Sequence, residues 1–300
     1  MRRLLAVVLT LSIAGCSDDS TAIGTPVARM ARSQQDRPDD LSGPQVHAVY
    51  AVPLGGSDRG FDTLYDIAYS VQAFQRWLAA TSGLQIRFDT YEGGLDVSFL
   101  QLDRSDAEMN AFGVYLATEL ERQLAATDVM QPHKRYIIYY DGGSGVRHCG
   151  GAAWPPSVPG QAASMYLHAC VPSHLVNQPD AAPGYWEFAA LHDLVHTFGI
   201  VSPGAPHAAP NDPAHVRESY DLMYGGASGP WSPVYVDVEN DDYYAPSLPD
   251  GLANLSASPF VAPAPQPSPT QSGKVRVGPP TPAPVFGPGW APHQAFTPKP

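Results

Sequence analysis

HDLVHTFG, His192 to Gly199, is the stretch whose reading decides the fold. Histidines four residues apart on a helix share one face about one turn apart, so His192 and His196 can reach a single metal ion. The spacing predicts a helix from Tyr185 to Phe198, entered through Ala182-Pro183-Gly184. Phe188, Leu191, Val195 and Phe198 form its apolar stripe, and Ala190 and Leu194 leave little of it suited to water. Such a helix belongs in the interior, where paired imidazoles need partners for their ring nitrogens, and a metal supplies them. Gly199 stands where a positive φ would turn the chain out of the helix and back toward the metal.

His215 and the turn Asp221-Leu-Met-Tyr224 follow. An HxxxH pair alone says little in a chain with ten histidines. With Gly199, His215 and Met223 added, the sequence resembles the metzincin zinc proteases, whose HExxHxxG motif precedes a third histidine and a methionine-containing turn. DLMY is similar to the ALMY Met-turn of matrix metalloproteases, in which the third histidine also precedes the methionine by eight residues. The segment Ala205 to His207 followed by His215 to Tyr224 also looks like a group of secreted bacterial metalloproteases. That group tolerates asparagine at the position of His207, which favours His215 as third ligand and keeps His207 as its rival. The resemblance is dense from Trp186 to Tyr224 and weak elsewhere.

The resemblance implies an α+β fold of the zincin type: a mixed twisted sheet, an active-site helix and a Met-turn built on Met223 and Tyr224. It implies a Zn2+ ion held by His192, His196 and His215, with a fourth position for a water that the metal makes nucleophilic near neutral pH. A carboxylate beside the first histidine then serves as general base. Here that group is Asp193, where the family has glutamate. One methylene fewer draws the carboxylate back by roughly 1.5 Å, and misplacement by about 1 Å can cost on the order of a hundredfold. Tyr224 can stabilise an oxyanion or simply pack beneath the site. Glu187, five residues before His192, points around the helix and is discounted as a base. Two functions stay open. One is a zinc endopeptidase acting on protein or peptide substrates of the exported or envelope class. The other is a catalytically silent zincin-like protein that binds zinc or a protein partner.

Residues 1–15 read as a lipoprotein signal peptide. Arg2 and Arg3 precede an apolar run from Leu4 to Ile13, too short to span a bilayer, and the ending IAGC resembles a lipobox that lipidates Cys16. Ordinary cleavage and release is the alternative. Export to the envelope, with membrane attachment through Cys16, makes a Cys149–Cys170 disulfide the expected state of the remaining cysteines. A cysteine-ligated zinc is the rival, without CxxC spacing to support it. A net charge of −12 with no basic cluster argues against nucleic acid as a partner.

Residues 16–44, polar and charged, are expected to form a flexible tether, 45–261 the metallopeptidase-like domain, and 262–300 a proline-rich disordered tail. In that tail 12 of 39 residues are proline, too many to bury a core. It serves as a stalk or as a PxP ligand. Within the domain, strands are expected at Val46–Pro53, in LQIRFDTY and LDVSFLQL, and in RYIIYY and SMYLHAC. One helix carries Ile67, Val71, Phe74 and Leu78 and stops at Gly83. A second starts at Ser105, capped by Glu108, and runs through Met109, Phe112, Leu116, Leu120 and Leu124. Asp241, Asp242 and Tyr243 in VENDDYYAP resemble a block of bacterial relatives with no chemical task attached.

Overall fold

The computed structural model describes residues 30–146, 148–169, 175–226, 231 and 233–265. In chain order, β1 (Gln45–Val52) leads to α1 (Asp66–Ser82), β2 (Leu84–Ile86), β3 (Thr90–Tyr91), β4 (Gly94–Leu95) and β5 (Val97–Gln101). Then come α2 (Asp106–Asn110), α3 (Leu116–Ala125), β6 (Lys134–Tyr140), β7 (Gly150–Trp154), β8 (Val158–Tyr166) and α4 (Tyr185–His196). The short strands β9 (Ala208–Ala209), β10 (Asp212–Val216) and β11 (Val261–Pro263) complete the set.

Five strands form one mixed sheet in the order β5-β1-β6-β8-β7, with every pairing parallel except the edge strand β7, which runs antiparallel to β8. Its faces are apolar for a reason visible in β1, where alternate residues point to opposite sides. Val46, Ala48, Tyr50 and Val52 join the core shared with α1 and α4, whereas Val49 and Ala51 join the core beneath α2 and α3. With helices on both faces the layering is of the α/β kind, which differs from the α+β expectation although the mixed sheet agrees with it. Among the described residues no helix is long and apolar enough to cross a membrane.

Several elements depart from expectation for local reasons. The helix begun by Ser105 has its full capping box, but Gly113 takes φ +57° and divides it into α2, a 3-10 turn at Gly113–Tyr115, and α3. The two strands expected between Leu84 and Leu102 are each interrupted at a buried aspartate, Asp89 and Asp96, whose carboxylates are committed to ion pairs. Strand β7 carries Gly and Ala, too small to show an alternating pattern in sequence. SMYLHAC supplies only the end of β8, which stops at Tyr166.

Residues 30–44 are docked, which corrects the expected flexible tether for that part. Phe99 donates to the carbonyl of Ser33 (2.7 Å), and Arg32 spans Asp58 and Asp62. Arg37 pairs with the buried Asp96, and Asp36 and Asp39 reach Lys134. Charges that read as solvated in sequence are ion-pair partners of the domain. Residues 1–29, including Cys16, and the tail from residue 266 lie outside the described residues.

Lys134 is 1% exposed and donates to Asp36 (2.8 Å), Asp39 (2.7 Å) and Asp89 (2.6 Å). Burial opposes its charge, but the three carboxylates outweigh burial and hold the ammonium above its ordinary range. Lys134→Met is expected to lower stability by about 1–3 kcal/mol in chemical denaturation, because it takes a donor from three carboxylates and leaves the buried Asp89 with only His47 Nδ1 beside it (2.7 Å). A loss under about 1 kcal/mol would show that the network is energetically idle.

Candidate metal centre

All twelve residues of α4 are buried, as befits a helix apolar nearly all round. It begins at Gly184, whose N–H donates to Glu187 Oε2 (2.9 Å), while Glu187 Oε1 accepts from Val176 (3.1 Å). Burial pushes this carboxyl above its ordinary range. Glu187 is therefore a cap, as its position around the helix implies. The helix ends at His196, two residues short of the expected Phe198: Arg135 donates to the Thr197 carbonyl (3.0 Å), and Gly199 takes φ +86° to turn the chain away. Val201 is then held to the sheet edge by Trp154 Nε1 (2.9 Å).

The returning chain brings His215, on β10, back to α4. The Nε2 atoms of His192, His196 and His215 form a triangle with sides of 3.1, 3.2 and 3.2 Å, and the three residues are at most 1% exposed. Each Nδ1 faces an oxygen at the back of its ring. His192 faces the Leu222 carbonyl at 2.7 Å, His196 the Ile200 carbonyl at 2.7 Å, and His215 the Asp212 carboxylate at 2.8 Å. A carbonyl can only accept, so Nδ1 of His192 and His196 carries the proton, and their Nε2 lone pairs point into the triangle. Four-coordinate zinc with Zn–N bonds of roughly 2.0–2.1 Å sets its nitrogens about 3.3 Å apart. The three side chains can hold a metal ion.

The segment around DLMY frames this triangle. Val216 pairs with Met223 and Tyr224, and a Cβ on Gly225 would press on His215, so the glycine permits their close approach. Asp221 accepts from the backbone of Met223 (2.7 Å) and Val238 (2.8 Å) and from the Tyr243 hydroxyl (2.6 Å). That arrangement fixes the Leu222 carbonyl behind His192. Met223 and Tyr224 are fully buried in the same core, and Trp231 lies edge-on to His192 with ring centroids 5.6 Å apart.

Asp193 is fully buried and turns toward the sheet edge, where a Cβ on Gly150 would overlap its Oδ2. Burial, and secondarily the Asp193 charge, raise the phenols of Tyr166 and Tyr185, which remain protonated beside it at neutral pH. Cys149, the neighbour of Gly150, is buried, and Cys170 lies outside the described residues.

His207 does not join the triangle. Its backbone N–H and ring Nδ1 face the Asp242 carboxylate at 2.7 and 3.1 Å, in a separate cluster of acids. Sequence reasoning overlooked Asp212, Gly225 and Gly150. The first was accessible as a carboxylate three residues before a candidate ligand, since ligating histidines commonly present their second nitrogen to an acid or a carbonyl. The glycines carry no such signal.

No protein-family model and no curated protein sequence matches the chain. Among solved structures, it is similar to archaemetzincin from Methanopyrus kandleri, with 16% identity over 59% of this chain and 80% of that one, at a TM-score of 0.34. It is also similar to metalloproteinase-II from Bacteroides fragilis, with 18% identity over 67% and 52% of the two chains and a TM-score of 0.31. A third similarity is to catalytically inactive OgpA from Akkermansia muciniphila, solved with an O-glycopeptide substrate: 13% identity, 66% and 56% coverage, TM-score 0.30. The matches span about half the length of the latter two proteins. Superpositions this loose carry no functional argument, and the side chains of the site have to supply it.

Proposed function

We propose that this chain is an exported, zinc-dependent endopeptidase of the zincin type. The observation that carries the reading is the buried Nε2 triangle with each Nδ1 facing an oxygen. Lone pairs of neighbouring imidazoles at this separation repel unless a cation lies between them. A proton can bridge two of them; a metal serves all three and leaves a coordination position for water.

His192, His196 and His215 would hold the zinc, and Met223 would provide the Met-turn beneath them. Bound zinc would supply a nucleophilic water near neutral pH and polarise a substrate carbonyl. The residues do the remainder. The Leu222 and Ile200 carbonyls and the Asp212 carboxylate fix the tautomers and ring orientations of the ligands. Asp193, next to the first histidine in sequence, would serve as the general base and then as the general acid toward the leaving amine. Tyr224, fully buried, packs beneath the site. The signal and Cys16 would place the protein in the envelope on a lipid anchor, Cys149 and Cys170 would form a disulfide in that oxidising compartment, and the proline-rich tail would act as a stalk.

The test is metal analysis with a cleavage assay on a denatured protein substrate. One zinc per chain and cleavage abolished by chelator are expected. A chain that binds no zinc, or cleavage that survives both chelator and His192→Ala, would overturn the proposal.

A further inference from the structure

The strongest feature outside the histidine triangle is the loop Asp237-Val-Glu-Asn-Asp-Asp242. Glu239 and Asn240 both take positive φ, 69° and 56°, so the loop curls and sets Asp237, Asp241 and Asp242 together, with oxygens within 4.8 Å of one another. Asp237 is 3% exposed. Its Oδ2 accepts from three backbone N–H groups, those of Asp242 (3.2 Å), Tyr243 (2.8 Å) and Tyr244 (2.6 Å). Its Oδ1 is buried with no hydrogen-bond partner, and burial, with the nearby Asp242 charge adding to it, pushes the carboxyl up to about 6. Among the described residues the only ion-pair partner of these three acids is His207, which faces Asp242 at 3.1 Å and Asp241 at 3.3 Å. One imidazole cannot neutralise three carboxylates, and an oxygen taken out of water without a partner is costly.

We propose that Asp237, Asp241 and Asp242 bind a divalent cation of the calcium class, at a site separate from the histidine triangle. Calcium takes 6–8 oxygen ligands at roughly 2.3–2.6 Å, so oxygens of one coordination sphere lie up to about 5 Å apart, as these do. Carboxylates are its natural ligands, and Asp237 brings to the cluster a carboxylate whose Oδ1 is buried with no hydrogen-bond partner. Acids at Asp237, Glu239 and Asp241 repeat the every-second-residue spacing by which calcium loops present their ligands, although Asp242 stands where such loops commonly have glycine. His207 would sit beside the cation as a neutral imidazole hydrogen-bonded to Asp242.

Cation binding would also brace the neighbouring histidine site. Val238, inside the loop, and Tyr243, just after it, both hold Asp221, which adjoins the Leu222 carbonyl behind His192. The calcium assignment itself does not depend on peptidase activity or on zinc.

The experiment is calorimetric titration of the full chain with CaCl2, with zinc content measured in parallel. Wild type is expected to bind one Ca2+ per chain, with a Kd of roughly 10⁻³ M or tighter, the range of extracellular calcium modules. Asp241→Asn, at a half-exposed position that should not disturb folding, is expected to weaken binding at least tenfold and to leave zinc content unchanged. Asp237→Asn should weaken it likewise. No saturable binding by about 10 mM Ca2+, or binding as tight in Asp241→Asn as in wild type, would overturn the proposal. So would calcium binding lost in His215→Ala but kept in Asp241→Asn, since that would place the ion in the histidine triangle.

Discussion

His215→Ala is expected to lower zinc affinity by a hundredfold or more while the protein stays folded, and His207→Ala is expected to leave zinc at one per chain. The contrast follows from placement. His215 Nε2 lies 3.2 Å from both of its counterparts on α4. His207 is occupied by the Asp242 carboxylate in a different cluster. Even groups that only orient a ligand change metal affinity by about 10–100-fold, so loss of a ligand should exceed that range. Asp212→Ala provides the internal gradation: it removes only the carboxylate behind His215 and should fall within it. Zinc content by metal analysis, with near-ultraviolet circular dichroism to establish folding, reads all three variants. Full zinc in folded His215→Ala together with loss in His207→Ala would refute the assignment of the third ligand.

The residues that direct chemistry were legible in sequence to different depths. His192 and His196 announce themselves because helical periodicity is local, and four residues always make about one turn. His215 was legible only through its distance from Met223, a pattern that belongs to a family resemblance; no local rule returns a strand 19 residues away to the helix. The supports behind the ligands were least visible. Two are backbone carbonyls, of Leu222 and Ile200, and a carbonyl is present at every position in the chain. The sheet shows the same division. β1, buried on both faces, reads as a strand because it is apolar without a break from Ala48 to Val52. β7 lies at the edge beside the site and opens with Gly150, Gly151, Ala152 and Ala153; the Asp193 carboxylate crowds against the first glycine and the Tyr166 hydroxyl against the second. The features that make β7 useful to the site are those that hide it from a search for strand-like alternation. Residues 30–44 misled for an electrostatic reason. Composition cannot distinguish a solvated acid from one that pairs with a buried lysine or arginine across the fold.

Asp193 decides whether the metal centre is an enzyme. If it is the general base, Asp193→Asn should keep one zinc per chain and lower kcat/KM by about 10²–10⁴-fold, the usual contribution of a positioned base. The aspartate is shorter than the glutamate it stands for, and β7 bears on how that difference is absorbed. Gly150 leaves room for Asp193 Oδ2 directly against the strand backbone, where any Cβ would overlap it. Gly150→Ala must therefore move either β7 or the carboxylate. A displacement of about 1 Å should cost on the order of a hundredfold in kcat/KM. Zinc content should not follow, because the three ligands and the oxygens behind them lie on α4, on β10 and in the loops that follow α4 and β10. Loss of activity without loss of metal is the signature that separates a base from a structural carboxylate. Asp193→Glu distinguishes the two functional readings. Against an active wild type, the extra methylene in a filled space should lower stability by about 1–3 kcal/mol and bring no gain in rate. If instead the wild type is inactive and Asp193→Glu creates cleavage, the shorter carboxylate is a lesion, and the protein is a zinc-binding zincin-like domain whose catalytic step has been lost.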